Sequence, residues 1–117
     1  MLSNLKKITK LEMFSMDIKN MTKEELKQIL VRDEVLYISR LGVKKLRIYD
    51  ARNNRLINEF NLNDNFICKF WESSLLVTTN KTNRLYDVNI NTLSVDNGKF
   101  YFNAYDLVFG WLIFEFR

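Results

Sequence analysis

Histidine and proline are both absent from this 117-residue chain, cysteine occurs once and glycine three times. Without histidine there is no Ser-His-Asp triad, no imidazole base and no histidine metal ligand. With a single cysteine besides, a zinc site is excluded. The lone Cys68 has no partner for an internal disulfide, so stability has to come from packing, as in a cytosolic protein. Its neighbours Phe66, Ile67, Phe70 and Trp71 are apolar, which reads as a buried small hydrophobe rather than a reactive thiol. Gly42, Gly98 and Gly110 are too few and too scattered for a phosphate-cradling loop. The expectation is therefore no catalytic residues, no cofactor and no bound metal. Long hydrophobic runs are missing too. Nothing approaches the ~20 residues of a membrane span, and the start, Met1-Leu2-Ser3-Asn4-Leu5-Lys6-Lys7, has charge without an apolar segment behind it. These absences point to an intracellular, cytoplasmic protein with no membrane partner.

What is present is ordinary globular material: 47% hydrophobic and 27% charged residues, on a length that suits one domain over residues 1–117. The net charge of +4 is spread over Lys6, Lys7 and Lys10; Lys44, Lys45 and Arg47; Arg52 and Arg55; Lys81 and Arg84. No dense basic tract results, so solvated faces are the simpler reading and a nucleic-acid footprint the weaker one.

Periodicity divides the chain. Thr22-Lys23-Glu24-Glu25 has the form of a capping box, and Leu26, Ile29 and Leu30 follow at helical spacing, so residues 23–32 read locally as a short amphipathic helix. From Val35 onward short alternating runs separated by Asn, Asp, Ser and Gly read as a β meander. The runs are 35–38, 46–49, 56–62, 66–70, 75–79, 84–88, 92–95, 100–102 and 107–116, and Asp96-Asn97-Gly98 suits a hairpin turn. Asp33-Glu34 is a carboxylate pair ahead of this region, read as a solvated turn rather than an acid/base pair.

Residues 26–37 align without a gap over 66–77 at an offset of 40, and 44–51 over 81–88 at an offset of 37. Residues 10–15 match 45–50, and 105–114 begin the pattern again, which gives about two whole units and two half units. Tyr49-Asp50 and Tyr86-Asp87 close the third strand of each unit, with an Asn-rich turn and a short strand after each. In these features the chain resembles the WD-repeat type of β-propeller, although the family's Gly-His pair has no counterpart and Tyr stands where Trp is usual. The resemblance implies a mainly β fold of antiparallel four-stranded propeller-like repeats and a role in protein–protein interaction. The alternative is an α+β fold with one helix, 23–32, packed on an antiparallel meander. Residues 26–31 decide between them: strand supports blades, helix the alternative.

The function expected from this reading is a non-enzymatic interaction module, working as an oligomer or within a larger assembly. Its alternative is a small α+β inhibitor of mobile-element or phage type that blocks a nucleic-acid-processing enzyme. Trp111, Ile113, Phe114 and Phe116, in a terminal run apolar on both faces, and the basic Lys44, Lys45 and Arg47 are the candidate contact residues. The strand at 111–116 is expected to offer a bare edge, paired with a strand near 11–16 of its own or a second chain, or with another protein.

Overall fold

A computed structural model describes residues 17–30, 36–62, 66–71, 74–79 and 81–117. The protein is mainly β. Its strands are β1 (Leu36–Tyr37), β2 (Lys45–Asp50), β3 (Arg55–Asn61), β4 (Phe66–Trp71), β5 (Ser74–Thr79), β6 (Asn83–Asp96), β7 (Lys99–Asp106) and β8 (Gly110–Phe116). All join one antiparallel sheet in the order β1-β4-β5-β6-β7-β8-β2-β3, six strands of which curl into half a barrel. The expected four-stranded repeats are therefore corrected: there are no separate blades and no closed propeller.

The offset of 40 fails first at the helix. Residues 26–30 belong to α1 (Lys23–Leu30), whereas their aligned counterparts 66–70 belong to β4. Local chemistry decides it: the Glu25 N–H donates to the Thr22 hydroxyl at 3.1 Å, and the Thr22 N–H donates to Glu25 Oε1 at 3.2 Å. This reciprocal capping box satisfies two helix-end donors, and Leu26, Ile29 and Leu30 form one buried face of α1, which packs towards β6. Leu36 lies in the outermost strand opposite Phe70, while Leu76 sits between β4 and β6, so the two are not equivalent.

The offset of 37 fails by one face of the sheet. Tyr49 points outward and the buried Asp50 inward. Tyr86 is buried on the inner side and Asp87 is exposed on the outer one. A strand repeat that preserved structure would keep the parity of its side chains.

The core lies on the inner, concave side. β7 turns Phe100, Phe102, Ala104 and Asp106 inward, and β8 contributes Leu112, Phe114 and Phe116, with Leu46 and Ile48 of β2 alongside. The Phe100 and Phe116 rings stack at 4.9 Å and Phe102 and Phe114 at 6.0 Å. Burying each such ring is worth about 1.5–3 kcal/mol before any aromatic bonus. α1 and the 3-10 turn Ile18–Asn20 add Leu26, Leu30 and Ile18 to the same cluster.

Two further expectations are corrected. β8 is an interior strand, paired with β7 on one side and β2 on the other, so it has no bare edge. The expected partner near 11–16 lies outside the described residues, as does Asp33-Glu34. The expected strands 84–88 and 92–95 are parts of one bent strand, β6, whose register with β7 shifts between Asn89 and Ser94. There the Thr92 hydroxyl accepts the Asn103 N–H at 2.7 Å and donates to the Asn89 carbonyl at 2.6 Å, repairing the ladder inside the strand.

Candidate interaction surface

Because side chains alternate along a strand, the packing that turns Phe102 and Phe114 inward turns their neighbours outward. The outer face of β7, β8 and β2 carries Tyr101, Asn103 and Tyr105; Trp111, Ile113 and Glu115; Lys45, Arg47 and Tyr49. Register joins the apolar members into a band. Leu56 of β3 stands opposite Tyr49, Tyr49 opposite Ile113, and Trp111, two residues before Ile113, opposite Tyr105. The Tyr105 and Trp111 rings meet edge-on at 5.4 Å. Leu56, Trp111 and Tyr105 keep 47%, 46% and 40% of their surface in water.

Charges beside this band are mutually paired. Glu59 bonds Arg47 and lies 3.5 Å from Lys45, and the buried Glu115 lies 3.1 Å from Arg117. The Tyr49 hydroxyl and then Glu59 hold the Arg47 guanidinium above its ordinary value, and the bond to Arg47 holds the Glu59 carboxyl below the usual carboxylate range. With acids interleaved this way, the face is not a basic footprint of the kind that tracks a phosphate backbone.

At one end of the sheet the β7–β8 turn presents Leu107, Val108 and Phe109 to solvent at 92%, 76% and 44% exposure. The turn is held from beneath by Asp106, only 6% exposed. Its Oδ2 accepts the Val108 N–H at 3.1 Å and the Phe109 N–H at 2.9 Å, while Oδ1 accepts from Arg84 Nη2 at 2.9 Å. Gly110 closes the turn at φ 78°, where an L side chain is strained. The neighbouring β2–β3 turn repeats the device. Asp50, 7% exposed, accepts the Arg52 N–H at 3.0 Å and the Arg52 guanidinium at 3.2 and 2.9 Å. Those side-chain bonds, then the backbone bond, pull the Asp50 carboxyl below its ordinary value. The recurrence with structural meaning is thus Tyr49-Asp50 with Tyr105-Asp106, tyrosine outward and aspartate inward.

The candidate contact residues separate. Trp111 is exposed and Ile113 half-buried on the outer face, whereas Phe114 and Phe116 are fully buried in the chain's own core. Lys44 is exposed, and its N–H, like that of Lys45, donates to the Arg117 carbonyl at 2.9 Å, at the opposite end from the 107–109 turn. Sequence reasoning placed 107–109 in the last strand and passed over them. Three large apolar residues immediately before Gly110, where the chain has to reverse, were the available signal. Cys68 is buried, and desolvation pushes its thiol up to about 12, so it is not poised as a nucleophile. No protein-family model, curated protein or solved structure matches the chain.

Proposed function

We propose that the chain is a non-enzymatic protein-interaction module whose contact surface is the outer band Leu56, Tyr49, Ile113, Trp111 and Tyr105. The observation that carries this is the contiguity of the band: register joins large apolar side chains across four adjacent strands on a face that leaves several of them in water. Aromatic and aliphatic side chains at the centre with charged residues at the margin are the anatomy of a protein interface, and Trp and Tyr are its usual anchors. A buried, protonated Cys68 and no disulfide suit a reducing compartment. The helix α1 favours the α+β description of the fold, but the paired charges of the outer face lend no support to a site for nucleic acid.

Trp111→Arg tests the proposal, because it places a cation at the centre of the band without touching the core. Wild-type and variant chains are compared by light scattering and by in-cell cross-linking in the native host. The variant is expected to lose the wild type's self-association or its cross-linked partner while keeping the wild-type circular dichroism spectrum. A folded variant that keeps both the mass and the cross-links would sink the reading.

A further inference from the structure

We propose that the β7–β8 tip docks the protein on an anionic lipid surface, with Tyr105 and Trp111 at the border between the tip and the outer band. The tip is paradoxical for an ordinary turn. Leu107 is almost wholly and Val108 about three-quarters in water, and a side chain built on Gly110 would meet nothing within 4 Å among the described residues, so the tip projects away from them. Yet its backbone is fixed by a buried carboxylate. Burying a charge is costly unless its partners are in place. The fold here commits one, with Arg84, to holding three apolar side chains where they are solvated.

The residues around the tip are ordered in depth. Farthest out are Leu107, Val108 and Phe109. Leu85, 64% exposed, joins them by register: Asp87 of β6 is opposite Tyr105, and Leu85 lies two residues further towards the tip on the same face. Behind stand Tyr105 and Trp111, whose rings combine apolar bodies with polar edges, as interfacial aromatics do. Val108 is three steps along the chain from Tyr105, at most roughly 10 Å, which matches the ~5–10 Å to which interfacial segments sink.

Charge complementarity selects the lipid. The ion pairs flanking the tip are polarised: the Asp50 and Asp106 carboxylates are buried, while the Arg52 and Arg84 side chains are 75% and 45% exposed. The sheet end therefore leaves an arginine side chain partly in water on each side of the tip, each bonded to its buried aspartate, Arg52 beside the β2–β3 turn and Arg84 on the inner side of β6. Arg55, also exposed, offsets the solvent-facing Asp87. A projecting apolar tip between two such arginines needs a matched cavity in a protein partner, whereas a lipid interface receives it without one. The absence of a spanning helix among the described residues is no obstacle, since this contact lies on the surface.

The chain has two tryptophans, Trp71 and Trp111. A Trp71→Phe chain reports on Trp111 alone, and sedimentation of the unmodified chain serves as a second measurement that does not depend on that substitution. Vesicles of phosphatidylcholine with about 30 mol% phosphatidylserine are compared with phosphatidylcholine alone. Anionic vesicles are expected to co-sediment the protein, shift Trp111 emission to the blue and, when brominated, quench it, with binding weakened by salt. Val108→Asp is expected to lower partitioning about tenfold or more, while Leu56→Asp, on the outer band, leaves it unchanged. The proposal is overturned if the unmodified chain does not sediment with anionic vesicles, if it binds neutral vesicles equally well, or if Val108→Asp binds as the wild type does. Loss of a cross-linked protein in Val108→Asp, with no vesicle binding by the wild type, also overturns it and gives the tip to a protein partner. Because Trp111 borders both surfaces, light scattering of Trp111→Arg without lipid tests the outer band and Val108→Asp with vesicles tests the tip.

Discussion

The two turns at the ends of β7 solve the same geometric problem by opposite means. At Asn97 and Gly98 the chain reverses in two residues, with φ at 50° and 76° and Lys19 packed over the glycine. Asn-Gly is chemically suited to this, so the turn is specified by its own residues. At Leu107, Val108 and Phe109 no side chain favours reversal. That turn is specified by its flanks, the adjacent Asp106 carboxylate and Gly110, with Arg84 joining from another strand. One end of the strand closes at little cost in solvent-exposed apolar surface. The other spends a buried charge to keep apolar surface exposed, which is the pattern expected where exposure is useful.

Asp106→Ala should have the largest effect on this contrast. Removing the acceptor strands two amides and the Arg84 guanidinium, and a loss of about 2–3 kcal/mol is expected in chemical denaturation. Amide exchange at Val108 and Phe109 should accelerate well beyond the change at Gly98. If Asp96→Ala in the Asn-Gly turn costs as much, the two turns are not held differently.

Acid should next loosen the neighbouring β2–β3 turn, which is clamped in the manner of the 107–109 turn. The folded-state value for Asp50 lies below the ordinary 3.8, so its contribution is fully present above that ordinary value and is lost as pH falls through the lowered one. Glu59 behaves in the same sense through its bond to Arg47. In an NMR titration the Arg52 amide shift should move with a midpoint below 3.8. An Arg52 midpoint at or above that value would remove the clamp from the account.

Much of this was legible in the sequence and part was not, for identifiable reasons. The capping box and the spacing of Leu26, Ile29 and Leu30 specify α1 locally, as the hydrogen bonds of Thr22 and Glu25 show. Asn97-Gly98 likewise announces its own turn. The aligned units misled because Tyr-Asp pairs recur in sequence on opposite faces of the sheet. Parity depends on where each strand pairs, which is a long-range property. The inward aromatics at 100, 102, 114 and 116 could not be told from the outward Tyr105 and Trp111 by composition alone. The 107–109 turn was readable in part: Gly110 and the adjacent acceptor Asp106 stand in the local sequence, but Arg84 arrives from β6.

The smallest effect is the one most diagnostic of use. Leu107→Ser should leave folding stability within about 0.5 kcal/mol of wild type, since the side chain is 92% exposed and touches little. A melting temperature that falls by many degrees would mean that this residue supports the fold after all.

The place of β8 between β7 and β2 has a kinetic corollary. Leu46 pairs with Phe116 and Asp50 with Leu112, so the β2–β3 hairpin has no sheet to join until almost the whole chain is available. β4 to β8 zip up by nearest-neighbour hairpins, whereas joining β2 to β8 closes a long loop. During that wait the inward side of β2, Leu46 and Ile48, is uncovered, and the incomplete protein offers a sticky strand to its neighbours. Refolding from denaturant should therefore show a late phase in which β2 and β8 amides gain protection together, and this interval is when misassembly between copies is most to be expected.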